Sequence, residues 1–258
     1  MRMPLNQFKL ALRRGAPQIG LWVGLADAAA AELLAGSGFD WLLIDAEHSP
    51  NDVRTVLRQL QAVAAYPVHP IVRPPTGAVD IIKQYLDVGV QTILVPMVET
   101  PEQAALMVAA TRYPPRGVRG VASATTRASR WGRIDRYFEQ SDAEMCVLVQ
   151  VESVKGLENL EAIAAVEGVD GIFFGPADLA ASMGSLGKPG EPRVKSALSE
   201  GIARVIKAQK AAGILVSDRA LARDYLAMGA RFVAVGVDTA LLVRAASDLA
   251  AAFKADQA

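Results

Sequence analysis

One pattern recurs along this chain and limits what it can fold into: a glycine closing a helical stretch, followed at once by a short apolar run. It reads GSGFDWLLID at 36–45, DVGVQTILVP at 87–96, VEGVDGIFFGP at 166–176 and AMGARFVAVGVD at 227–238. A glycine past a helix end supplies the left-handed turn that stops the helix. A nearly continuous apolar strand suits a parallel sheet covered on both faces. Strands are expected near 19–24, 41–45, 70–73, 92–96, 147–152, 171–175, 214–217 and 232–236. Amphipathic helices are expected between them, among others at 52–65, 79–88, 101–111 and 191–212. Eight such units close into a (β/α)8 barrel, and 258 residues match the ~250 typical of one such domain. The expectation is one domain over 1–258, with an open doubly wound sheet as the rival.

Composition removes several function classes. With 27 basic and 27 acidic residues there is no global field to hold nucleic acid or an anionic membrane. The one cysteine, Cys146, permits neither an internal disulfide framework nor a cysteine-rich zinc site. No run approaches the ~18 uninterrupted apolar residues of a membrane span, and residues 1–15 lack the apolar core of a signal peptide. A soluble, cytoplasmic protein is expected. Two insertions stand out: 112–145, with seven arginines, and the Gly/Pro-rich 182–192. The first has the length of a functional or interface loop, although a solvated insertion would read the same way. The second lacks the complete phosphate-loop pattern.

In a parallel barrel the chemistry gathers at the C-terminal ends of the strands. Reading that position along the chain gives Asp45 with Glu47 and His48, then Arg73, Gln150 and Glu152, Asp178 after the sixth strand, and Asp238. Glu152 and Asp178, from adjacent strand ends, suit a hard divalent ion that keeps open positions for water and substrate, although Asp178 could equally cap a helix. His48 is a candidate general base, three residues after Asp45 and thus within reach of that carboxylate for orientation. Arg73 closes an apolar strand, where its charge needs an anion and could stabilise a developing enolate. Trp22 and Val216, ending the first and seventh strands, are expected as apolar walls. His69 falls at the opposite end of the barrel. None of the strand segments carries a lysine, which argues against imine chemistry and for a metal.

These residues lie in stretches that resemble the HpcH/HpaI family of class II pyruvate aldolases: LLIDAEHSPND, VRPP, LDVGVQTILVPMV, TRYPPRGVRGV, RASRW, LVQVES, VEGVDGIFFGPADLAASMG and FVAVGVDT. The resemblance covers nearly the whole chain and implies a TIM barrel of the phosphoenolpyruvate/pyruvate-domain type. It implies that Glu152 and Asp178 hold Mg²⁺, Mn²⁺ or Co²⁺, that His48 is the acid/base, and that Arg73 steadies the enolate. Gln150 and the Gly175–Pro176–Ala177 backbone, with Asp178, would contact the pyruvyl portion. Asp87, which by pattern alone is an ordinary helix-end residue, would tune the histidine from a neighbouring subunit of a homo-hexamer. The chain departs from the family at Ala46 and Ala180, where glycine and serine are common. It also has Val216 where leucine is common, a change expected to enlarge the aldehyde pocket.

The implied reaction is reversible cleavage of 4-hydroxy-2-oxo acids, such as 4-hydroxy-2-oxoheptanedioate, to pyruvate and an aldehyde through a metal-bound pyruvate enolate. A 2-keto-3-deoxyglucarate-type aldolase would share the chemistry. Citrate lyase-type CoA-ester lyases would add a CoA surface not evident here. A catalytically dead scaffold would be expected to have lost part of the constellation.

Overall fold

The structure is a computed structural model in which residues 1–255 are described. Its centre is a closed barrel of parallel strands in sequential order, β1 Gln18–Val23, β2 Trp41–Asp45, β3 His69–Arg73, β4 Thr92–Val95, β5 Cys146–Val151, β6 Val169–Phe174, β7 Ala211–Leu215 and β8 Phe232–Val237. The helices are α1 Gln7–Arg13, α2 Ala28–Ala35, α3 Val53–Ala62, α4 Val79–Asp87, α5 Pro101–Ala110 and α6 Tyr137–Glu144. They continue with α7 Val154–Glu158, α8 Leu160–Ala165, α9 Pro176–Ser182, α10 Pro192–Lys207, α11 Arg219–Met228 and α12 Asp238–Ala255. The repeated glycine does the expected work: Gly89 and Gly229 hold φ at +102° and +108° between a helix and the next strand.

Strand alternation splits the core in two. Ile93, Val149, Ile172, Ile214 and Val233 face outward to the helices, whereas Trp22, Leu43, Ile71, Leu94, Leu148 and Phe173 fill the interior. Helix α1 closes the N-terminal end: Phe8 packs edge-on against Trp41 and Phe232 and stacks on His69 at 5.6 Å between centroids. On β1, Gly20 leaves room for the Trp41 indole, which any Cβ there would overlap. Burial beneath α1 pulls His69 down to about 4, so it is a neutral packing residue bonded to Thr92 Oγ1 at 2.8 Å.

The largest departures from the expected boundaries fall at the joint of α10 and β7. Helix α10 ends at Lys207 and β7 begins at Ala211, three residues before the expected start. The joint is Gln209, which takes φ +59° where the units before β2, β4, β6 and β8 place a glycine. Without that glycine the helix-forming run reads on, and pairing of Ala211 with Gly171 of β6 overrides it. The arginine-rich insertion is not simply solvated. Arg119 is buried over the Tyr113 ring, and Arg127 donates to the Val88 carbonyl at 2.7 Å. No helix among the described residues is long and apolar enough to cross a membrane.

Candidate active site

The strand-end residues converge at the C-terminal mouth of the barrel, and its best-defined element is a buried ion pair between β2 and β3. Asp45 and Arg73 are register partners. Arg73 Nε donates to Asp45 Oδ1 at 2.9 Å and Nη2 to Oδ2 at 2.6 Å, a bidentate fork with both side chains under a tenth exposed. The guanidinium lies 4.9 Å from the centroid of the Trp22 ring, and Trp22 Nε1 donates to Asp45 Oδ2 at 3.2 Å. Burial opposes the Asp45 charge. The hydrogen bonds and charge of Arg73 outweigh it, aided by the Glu47 N–H and Trp22, and hold this carboxyl below its ordinary value. Trp22 is therefore a buried wall, as expected, and also a hydrogen-bond donor.

Asp45 does not orient His48 through the imidazole. Its Oδ1 accepts the backbone N–H of Glu47 at 3.0 Å and of His48 at 3.5 Å, while its remaining capacity goes to Arg73 and Trp22. The His48 side chain, 65% exposed on the rim, has Glu47 beside it instead, with Nε2 3.7 Å from Oε2. The expected Asp45–His48 pairing is thus corrected to Glu47–His48. A carboxylate two residues past a strand can turn back into the site, and strand alternation gives no sign of that.

Across the mouth, Glu152 is 2% exposed. One oxygen accepts the Met97 N–H at 3.0 Å, the other is held by the Gln150 amide, and Gln150 Oε1 is left buried without a partner. Burial, with the Asp178 and Glu47 carboxylates, raises Glu152 to about 7 despite the Gln150 and Met97 hydrogen bonds. Gly175 ends β6 against this carboxylate, and a Cβ there would overlap Glu152 Oε2. Gly175 is the N-cap of α9, Pro176 opens the helix, and exposed Ala177 and Asp178 follow in its first turn. Asp178 accepts no capping bond, so it is not the N-cap that its sequence context also allowed.

A divalent cation fits this donor set. Glu152, Asp178 and Glu47 act on one another as unbalanced negative charges, and the nearby guanidinium is already engaged by Asp45 and Glu47. No group of three or more His, Cys, Asp or Glu with metal-holding geometry occurs among the described residues. Glu152 and Asp178 could therefore supply only part of a coordination shell, leaving positions for water and substrate.

Two expected residues lie elsewhere. Val216 follows β7 and packs with the outward-facing core, whereas its neighbour Leu215 packs with the interior. The alternation assigns the wall to Leu215, one position earlier, and the late expected start of β7 accounts for the slip. Asp87 ends α4, at the opposite end of the barrel, 3.7 Å from Arg119 of its own chain and with Oδ1 buried and unbonded. One chain does not bring it to His48. Asp238 is buried as a clamp, accepting from the Gly24, Leu25 and Thr239 N–H groups.

Residues 18–245 match the HpcH/HpaI aldolase/citrate lyase family. A hydroxypyruvate/pyruvate aldolase of Paraburkholderia phytofirmans is 64% identical over 98% of this chain and 95% of its own length. A 4-hydroxy-2-oxo-heptane-1,7-dioate aldolase of Salmonella heidelberg is 57% identical over 98% of this chain and 96% of its own. The crystal structure of an HpcH/HpaI aldolase/citrate lyase family protein from Burkholderia cenocepacia J2315 superposes with a TM-score of 0.93, at 42% identity, over 96% of this chain and 99% of that one. A parallel barrel with this mouth and these relatives belongs to the HpcH/HpaI aldolase/citrate lyase family and is a carbon–carbon lyase.

Proposed function

We propose that the protein is a divalent-metal-dependent aldolase that reversibly cleaves 4-hydroxy-2-oxo acids to pyruvate and an aldehyde, with hydroxypyruvate as a second 2-oxo acid partner. The observation that carries this reading is the pair of groups at the mouth: Glu152, raised by burial with the Asp178 and Glu47 carboxylates near it, and a buried Arg73 held by Asp45. Glu152 and Asp178 would hold the cation, Mg²⁺, Mn²⁺ or Co²⁺, which when bound supplies Lewis acidity toward the carboxylate and keto oxygens of a 2-oxo acid. Gln150, with its unpaired Oε1, and the Gly175–Ala177 backbone line the position of the pyruvyl portion.

In the cleavage direction His48, directly or through water, takes the proton of the 4-hydroxyl. The C3–C4 bond breaks, its electron pair passes to the enolate of pyruvate, and the aldehyde leaves. Arg73, pre-oriented by its two hydrogen bonds to Asp45, would stabilise the charge gathering on the enolate oxygen with little reorganisation. A proton returned to C3 completes pyruvate. Trp22 and Leu215 bound the volume left for the aldehyde.

Self-association belongs to the same reading. Helix α12 exposes Leu241, Leu242, Val243, Leu249 and Phe253, and its main contacts are with β1 and β8 rather than with α2 or α11. An 18-residue helix that leaves such a face to solvent fits a homo-oligomer, of the hexameric size that the resemblance implies. In such an assembly Asp87 of another copy could approach His48.

A screen tests the function. Purified protein is supplied with each metal in turn and offered 4-hydroxy-2-oxo acids of graded length, 2-keto-3-deoxy sugar acids, and pyruvate or hydroxypyruvate with aldehydes. The expected result is pyruvate release from the 4-hydroxy-2-oxo acids and condensation with both 2-oxo acids. Turnover of none of them would reject the reading.

A further inference from the structure

We infer that Glu47 is a positioning residue of this site, holding the His48 imidazole against the substrate while itself anchored by Arg73. The inference rests on the aldolase reading above, in which His48 moves the proton.

Three observations converge on Glu47. First, Asp45 is saturated, with two bonds from Arg73, one from Trp22 and two backbone N–H groups, so it has nothing left for an imidazole. Second, Glu47 Oε2 is buried without a hydrogen bond. It forms an ion pair with Arg73 Nη1 at 2.7 Å and lies 3.7 Å from His48 Nε2. A carboxylate oxygen in one ion pair can still accept from a second donor, and the His48 imidazole is placed to supply it. Third, the charges do not balance without it. Asp45 and Glu47 share a single guanidinium, and Asp45 takes two hydrogen bonds from it, so the one contact from Arg73 Nη1 leaves room for a second cationic or donor group beside Glu47.

An exposed imidazole on a rim turns through several rotamers. An anchored carboxylate beside one nitrogen reduces them to the ring orientation that presents the other nitrogen to the substrate. This is the arrangement of a base oriented by a third group, and catalytic hydrogen bonds are commonly long before substrate closes the site.

The test is a double-mutant cycle on the intact enzyme supplied with Mg²⁺, using Glu47→Gln, His48→Gln and the pair, and reading kcat and KM for 4-hydroxy-2-oxo acid cleavage with thermal melting as a fold control. We expect Glu47→Gln to lower kcat by about 10–100-fold, as loss of an orienting outer partner does, with KM nearly unchanged. In the His48→Gln background the same substitution should cost nothing further. Equal losses in both backgrounds, or a loss confined to KM, would show that Glu47 acts through Arg73 or the substrate and overturn the inference. Wild-type turnover by His48→Gln would instead remove the aldolase role of the histidine, a distinguishable failure. A crystal structure of the wild-type enzyme with Mg²⁺ and pyruvate gives an arm independent of variant folding. A His48 nitrogen within hydrogen-bond distance of Glu47 supports the inference, and a ring turned to solvent contradicts it.

Discussion

At the residue scale, the site is decided by which charges are buried and what each has for company. Arg73 is bidentate to Asp45 and stacked on Trp22, and lysine can reproduce neither geometry. Arg73→Lys should therefore keep the charge yet lower kcat by roughly 10²–10³-fold, the range for losing one donor to a developing oxyanion, as steady-state cleavage kinetics will show. Glu152 is the opposite case, a carboxylate raised to about 7 from its ordinary 4.5. Between those values the folded state binds more protons than the unfolded one, so the cation-free protein loses stability as pH rises through that window. Removing the ionisation should remove the loss: Glu152→Gln is expected to exceed wild type in stability above pH 7 by on the order of 3 kcal/mol, the difference fading toward pH 4.5. Urea denaturation of chelator-treated protein at both ends of the window measures this. The same variant should lose stabilisation by added Mn²⁺, because a cation is what the charged form of Glu152 accommodates.

At the scale of elements, the strand ends carry the site. Asp45, Arg73, Gln150 and Glu152 were readable because parallel strands place every C-terminal end on one face. The glycine joints fixed where most strands begin, and where the joint residue is Gln209 the expected strand started late and the wall was assigned to Val216 instead of Leu215. Glu47 was named at the strand end but given no role, for a different reason: it lies past the strand, where alternation no longer says which way a side chain turns. Helix α1 was not read at all, since a single short helix gains its role from the barrel end that it closes. The joint between β6 and α9 has the sharpest consequence. Gly175→Ala should leave the barrel folded but push Glu152 aside, because the new methyl would occupy the position of Oε2. Circular dichroism should be unchanged while Mn²⁺ binding by calorimetry and cleavage activity are both lost.

At the scale of the whole molecule, the exposed apolar face of α12 and the acidic mouth of the barrel are the two features that call for a partner. Leu242→Asp with Leu249→Asp places charge on exposed positions of that helix and should shift the particle to a smaller mass by light scattering, with the far-ultraviolet spectrum retained. Unchanged mass would separate α12 from assembly. The claim on which the rest depends is that the carboxylates opposite Arg73 work by holding a dication. Its most direct measurement is pyruvate release from a 4-hydroxy-2-oxo acid by protein stripped with chelator, then resupplied with Mg²⁺, Mn²⁺ or Co²⁺. Activity should vanish on stripping and return on addition. Full turnover by the stripped enzyme would contradict the account.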